Sequence, residues 1–118
     1  MNNKIILLFL SIFGLMPQIA SELPEGFVYV KTIIPDLDVE LRYYTTDNFV
    51  GDTIQGYKSN KLILTKETAS ALKLVQDELQ IQNICLKVYD GYRPQRAVDH
   101  FVVWARDLGD TINKQQYY

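Results

Sequence analysis

The chain has 118 residues, 47% of them apolar, and sets 12 lysines and arginines against 14 aspartates and glutamates for a formal charge of −2. With no cluster of basic residues, that balance argues against nucleic-acid binding, and a single cysteine, Cys85, excludes an internal disulfide scaffold. Cys85 lies in an apolar run and is expected to be a small buried hydrophobe.

The opening stretch, MNNKIILLFLSIFGLMPQIAS, carries one lysine, an uncharged apolar run from Ile5 to Met16, then Pro17 and small residues at Ala20 and Ser21. That is the layout of a secretory signal peptide over residues 1–21. Its apolar part is well short of the roughly 20 residues of a spanning helix, so an uncleaved anchor is the alternative. Cleavage after Ser21 starts the mature chain at Glu22 and predicts an exported protein, periplasmic or extracellular, with no stable membrane span. What remains, 22–118, is 97 residues with 11 basic and 14 acidic side chains, enough for one small domain.

FVYVKTII (Phe27 to Ile34) and VELRYY (Val39 to Tyr44) have β-branched and aromatic residues at strand spacing, with PDLD between them as a turn. In the second, Val39, Leu41 and Tyr43 share one face, and Glu40, Arg42 and Tyr44 the other. Residues 45–60 are rich in Asp, Asn, Gly and Ser without periodicity and predict a long loop of the kind that is functional or disordered. Thr65 is the expected N-cap of a helix reaching Gln80, with Glu67 in its first turn and Leu72, Val75 and Leu79 at helical spacing. ICLKVYD (Ile84 to Asp90) reads as a short strand. A second helix follows, opened by Pro94, with Ala97, Val98, Phe101, Val102, Ala105 and Leu108 on its apolar side and Gly109 as its stop. Strand, strand, helix, strand, helix is an α+β pattern, a small mixed or antiparallel sheet with two helices.

The stretch DGYRPQRAVDHF, Asp90 to Phe101, places an arginine where a strand gives way to a helix. Gly91 permits backbone conformations that a Cβ resists. Pro94 pushes Arg93 out of the helical region and fixes the first turn behind it. Arg93 is thereby held extended beside a helix N-terminus, where its planar fork of donors suits a carboxylate or the oxyanion of a tetrahedral intermediate. The competing reading is structural: Arg93 pairs with Asp90 or Asp99 and pins the turn.

DGYRPQRAVDHFVVWA, with LRYYTTDNFVG and GYKSN upstream, resembles the D-alanyl-D-alanine dipeptidases, zinc metallopeptidases, from about Phe27 to Tyr118. The resemblance implies an incomplete version of the hedgehog/DD-peptidase-like fold and hydrolysis of the D-Ala-D-Ala dipeptide in bacterial cell-wall metabolism. It makes Arg93 the transition-state stabiliser, Asp90 its support, and Tyr43 and Tyr57 substrate-binding residues near the dipeptide pocket. The zinc of such an enzyme is held by two histidines and an aspartate, the first two in a segment of the type S-x-H-x-x-G-x-A-x-D, with a glutamate near the last histidine as general base. This chain has none of these ligands. Its single histidine, His100, sits within reach of Arg96 on the second helix where the family pattern has no ligand, and is expected at the surface or in a groove. A zinc centre needs about three protein ligands, so residues 22–118 are expected to be the N-terminal part of a dipeptidase domain, inactive alone. Leu41, Leu86, Val88 and Phe101 are then expected to lack part of their cover. The alternative is a metal-free binding module for a D-amino-acid or stem-peptide carboxylate.

Overall fold

The computed structural model describes residues 23–110 and 112–117. The leader-like stretch 1–21 lies outside the described residues. In chain order the elements are β1 (Phe27–Tyr29), a 3-10 turn (Val30–Thr32), β2 (Asp38–Val39), a second 3-10 turn (Arg42–Tyr44), β3 (Ile63–Thr65), α1 (Lys66–Gln80), β4 (Lys87–Val88), α2 (Gln95–Arg106) and α3 (Ile112–Tyr117). The class is α+β, as the sequence implies. The strands form two two-stranded sheets: β1 pairs antiparallel with β3, Val28 opposite Leu64, and β2 pairs parallel with β4, Val39 opposite Val88.

The expected eight-residue first strand stops at Tyr29, and the reason is a second periodicity within it. Val30, Ile34 and Leu37 are spaced i, i+4, i+7, and a tight turn brings all three into one core with Leu41, Leu62 and Ala69. The Ile33 and Ile34 amides both donate to the Val30 carbonyl, and the Lys31 ammonium donates to the Pro35 and Leu37 carbonyls. Burying three aliphatic side chains together outweighs strand propensity, which is weak and context-dependent. The second expected strand likewise ends at Val39; Arg42–Tyr44 turns instead, with Leu41 buried at 5% exposure. The strand opposite β1 is β3, which lies ahead of the expected helix.

Helix α1 begins as anticipated, the Thr65 hydroxyl accepting the Thr68 amide at 3.2 Å. Its inward stripe is Ala69, Leu72, Gln76 and Leu79, not one containing Val75, which is half-exposed. Gln76 is fully buried because it serves the chain beyond the helix: its Oε1 accepts the Leu86 amide at 2.9 Å and its Nε2 donates to the Cys85 sulfur at 3.1 Å. Cys85 itself is exposed, contrary to expectation. The Ile84 amide turns back to the Leu79 carbonyl and β4 starts only at Lys87, so Ile84 and Cys85 lie in irregular backbone between α1 and β4 and not in a strand.

Helix α2 ends at Arg106, short of Gly109, because the Asp107 side chain takes the Gly109 amide and starts a turn. A third helix, unanticipated, follows. The inward residues of α2 are Ala97, Phe101 and Trp104; Val98, Val102 and Ala105, and Leu108 beyond its end, are exposed. Leu41 is thus covered, Leu86, Val88 and Phe101 are half-buried, and exposed apolar side chains lie on both α1 (Leu74, Val75) and α2 (Val98, Val102, Val103).

Candidate functional site

Segment 90–93 runs beside β3, the Tyr92 amide donating to the Ile63 carbonyl at 2.8 Å. Gly91 is needed there for space: a Cβ would lie 2.7 Å from the Ile63 carbonyl oxygen and 2.5 Å from a Leu62 methyl. Its φ is not positive, so conformational freedom, the expected reason, is not the operative one. The Tyr92 ring packs edge-on against Phe27 at 5.6 Å, while the Arg93 side chain lies against α2. Pro94, at φ −68° and ψ 150°, opens that helix as the sequence implies.

Asp90 organises the site. Its Oδ2 accepts from Arg93 Nε at 3.1 Å and Nη2 at 2.7 Å; its Oδ1 accepts from the Tyr57 hydroxyl and from the Gly91 amide, each at 2.9 Å. A carboxylate has about four lone-pair sites, and all four are engaged. Of the two partners open to Arg93, the structure therefore selects Asp90; Asp99 accepts from Gln95. The guanidinium carbon sits 5.3 Å from the ring centres of both Tyr43 and Phe101, which are 5.1 Å apart and tilted by 55°. Arg93 thus rests on a two-ring platform with its Nε edge tied down, and with its side chain 43% exposed. Charge-assisted bonding to Asp90 holds its pKa above the ordinary guanidinium value. Burial, and then the bond to Asp90, push the Tyr57 phenol well above its ordinary range, so it remains a donor across the physiological range.

The loop that delivers Tyr57 is ordered. Asn48 donates to the carbonyls of Arg42, Thr45 and Asp52, and its Oδ1 accepts the Val50 and Gly51 amides. Ile54 is buried and its amide reaches the Tyr43 carbonyl at 2.9 Å. Next to it, the Gln55 amide donates to His100 Nδ1 at 3.2 Å, and Gly56, at φ +95°, leaves room for Pro94. His100 is half-buried and serves as a loop anchor. Phe49, in the same loop, packs 5.0 Å from both Phe101 and Trp104. These anchors escape sequence reading, apart from the Asn-rich turn signal around Asn48.

All four sequence-derived site residues converge. Two cavities meet at Asp90: one of about 160 Å³ bounded by Tyr57, Gly91, Tyr92 and Pro94, and one of about 180 Å³ bounded by Tyr43, Asn48, Phe49 and Tyr89. Tyr57 differs from expectation in one respect: its hydroxyl is committed to Asp90, leaving its ring to face the cavity.

A zinc ion does not fit this donor set. Among the described residues no three His, Cys, Asp or Glu side chains cluster closely enough to hold a metal. His100 Nδ1 is occupied by Gln55, and Asp90 is saturated.

Residues 24–118 match the family described as D-ala-D-ala dipeptidase. The D-alanyl-D-alanine dipeptidase of Enterococcus faecalis is 36% identical over 94 residues, covering 80% of this chain and 46% of the relative. That of Enterococcus faecium is 34% identical over 93 residues, covering 79% and 46%, and that of Streptomyces coelicolor 35% over 92 residues, covering 78% and 46%. The chain spans about half the length of these curated relatives, and on this match it belongs to the D-Ala-D-Ala dipeptidase family.

Proposed function

We propose that this chain carries the anion-holding part of a D-Ala-D-Ala dipeptidase site, with Arg93 as the donor to the oxygen of the scissile carbonyl. The observation that supports this is the asymmetry of the guanidinium: its Nε and Nη2 are tied to Asp90, its plane rests on Tyr43 and Phe101, and the side chain stays 43% exposed. A preorganised donor of this kind stabilises charge that develops in the transition state without reorganising as it forms. Asp90 supports Arg93, and Tyr43 and Tyr57 wall the dipeptide pocket. In a zinc-bearing dipeptidase of this family the metal would supply the activated water; these residues would supply the donor and the pocket walls. The chain alone therefore binds the dipeptide without turning it over. Export, with cell-wall D-Ala-D-Ala as the substrate, is part of this reading; it rests on the leader-like residues 1–21 and is checked by N-terminal sequencing of protein recovered outside the cytoplasm.

The test measures dipeptide binding by calorimetry, metal content after dialysis, and D-alanine release. Binding without release, and no stoichiometric zinc, is expected, with Arg93→Ala changing affinity far less than it changes turnover in a zinc-bearing chain. Chelator-sensitive release proportional to protein concentration would overturn the statement that the chain alone is inactive. In a chain joined to a zinc-binding portion, Arg93→Ala should lower kcat by about 100-fold or more; an unaffected rate would return Arg93 to a structural role.

A further inference from the structure

We propose that Tyr57 is a positioning residue for Arg93, acting through Asp90, and not a hydrogen-bonding substrate ligand. The chain of contacts is continuous: the Tyr57 hydroxyl donates to Asp90 Oδ1, and Asp90 Oδ2 receives Arg93 Nε and Nη2. Both nitrogens of Arg93 converge on one oxygen. Such a pair, unlike a fork on two oxygens, leaves the carboxylate free to swing about its own bond. What prevents the swing is Oδ1, held on one side by the Gly91 amide within the same turn and on the other by Tyr57 from a loop 33 residues away. The Gly91 bond is local and moves with Asp90. Tyr57 supplies the external reference.

Tyr57 is itself well fixed. Its ring lies 5.6 Å from that of Tyr43, the platform ring, and its backbone follows Ile54 and the Gln55 amide anchored on His100 of α2. Loop, helix and turn are therefore registered to one another at the guanidinium. The raised Tyr57 pKa keeps the donor protonated wherever Arg93 is to act. Losing the hydroxyl leaves an acceptor site on Oδ1 empty and lets Asp90 and Arg93 rotate, which broadens the direction in which the guanidinium points. Errors of about 1 Å at such a donor are costly to catalysis.

This inference rests on the reading of Arg93 as an oxyanion donor, but its test does not need turnover. The chain has four arginines, Arg42, Arg93, Arg96 and Arg106, so arginine-labelled protein gives a resolvable set of Nε–H signals. Arg93 Nε–H should exchange about tenfold or more slowly than those of Arg96 and Arg106. Tyr57→Phe retains the ring and should bring Arg93 to their rate, leaving the Trp104 indole and Arg42 signals unchanged. An intact fold with Arg93 still protected in Tyr57→Phe overturns the proposal. If that variant does not fold, the unmodified protein still decides: a slowly exchanging Tyr57 hydroxyl proton with cross-relaxation to the Gly91 amide is required, and its absence overturns the proposal. Arg93 protected but dispensable for hydrolysis in the joined chain would instead sink the oxyanion reading alone.

Discussion

Around Val30, Ile34, Leu37, Leu41, Leu62 and Ala69 the chain closes on itself with aliphatic side chains at most 5% exposed. Around Phe49, by contrast, Tyr43, Phe101, Trp104 and Tyr117 gather at ring separations of 5.0–6.4 Å, and of these five residues only Trp104 is buried. The aliphatic cluster excludes polar groups, with Gln76 buried in full only where it can satisfy the Leu86 amide. The aromatic cluster recruits them: Arg93 lies over Tyr43 and Phe101, Lys114 over Trp104, and the Trp104 indole donates to Asp110 at 2.6 Å. Ring faces attract cations while leaving them in contact with water, whereas an aliphatic wall would only desolvate them. One region therefore holds the fold and the other holds a charge in a fixed place, and the second can do so because it is not fully buried.

The contrast breaks first at Leu37. Leu37→Ala removes a side chain with no exposure and should cost about 2–5 kcal/mol in urea unfolding, a large share of a small domain's stability. Phe101→Leu, in the half-buried cluster, should cost about 1 kcal/mol yet disturb the Arg93 resonance, which Leu37→Ala in its folded fraction should not. Equal losses from the two would show that the aromatic cluster is an ordinary core.

Gly91 is where the regions touch. Gly91→Ala forces a methyl against Leu62 in the aliphatic core and Ile63 in β3, at a cost of about 1–3 kcal/mol. It should also displace Asp90 and lower dipeptide affinity, so calorimetry and unfolding should shift together. A variant that unfolds more easily but binds as before would separate the regions more fully than the geometry implies.

Gln76→Ala leaves the Leu86 amide without its partner and should cost about 1–3 kcal/mol. The loss should appear as faster amide exchange at Leu86 and Val88, with no change at Arg93. The smallest effect lies on the acid side. The Trp104 indole, and then the Asn113 amide, hold Asp110 below the usual carboxylate range. A depressed carboxylate stabilises the fold above its unfolded pKa and loses that contribution as pH falls through the folded value. Trp104 fluorescence should therefore change on acidification below about pH 4, and Asp110→Asn should flatten that change; a curve identical in the variant would place the titration elsewhere.

Part of this was legible in advance, for identifiable reasons. The start and end of α1 follow from the Thr65 cap and the apolar spacing that follows, both effects of neighbours within one or two turns. Arg93 at a strand-to-helix junction follows from Pro94, and the Asp90–Arg93 pair spans only three residues. The short strands were misjudged in length because a period-two pattern and a helical one overlap in Val30, Ile34 and Leu37, and only the shared core chooses between them. Cys85 was misplaced for a related reason: an apolar run does not say whether it pairs or stays irregular.

By itself, then, the order of residues determined the α+β class, the helix at Lys66–Gln80, the position of Arg93 and the family to which the chain belongs, since each depends on sterics and patterning among near neighbours. Only the tertiary structure decided that Tyr57 spends its hydroxyl on Asp90 across 33 residues, that His100 anchors Gln55 across 45, and that Tyr43 and Phe101 form one platform beneath Arg93. Contacts of that kind carry no local signature. They exist because closing the loop at 45–60 onto α2 buries Ile54 and brings the rings together, and that free energy belongs to the assembled whole.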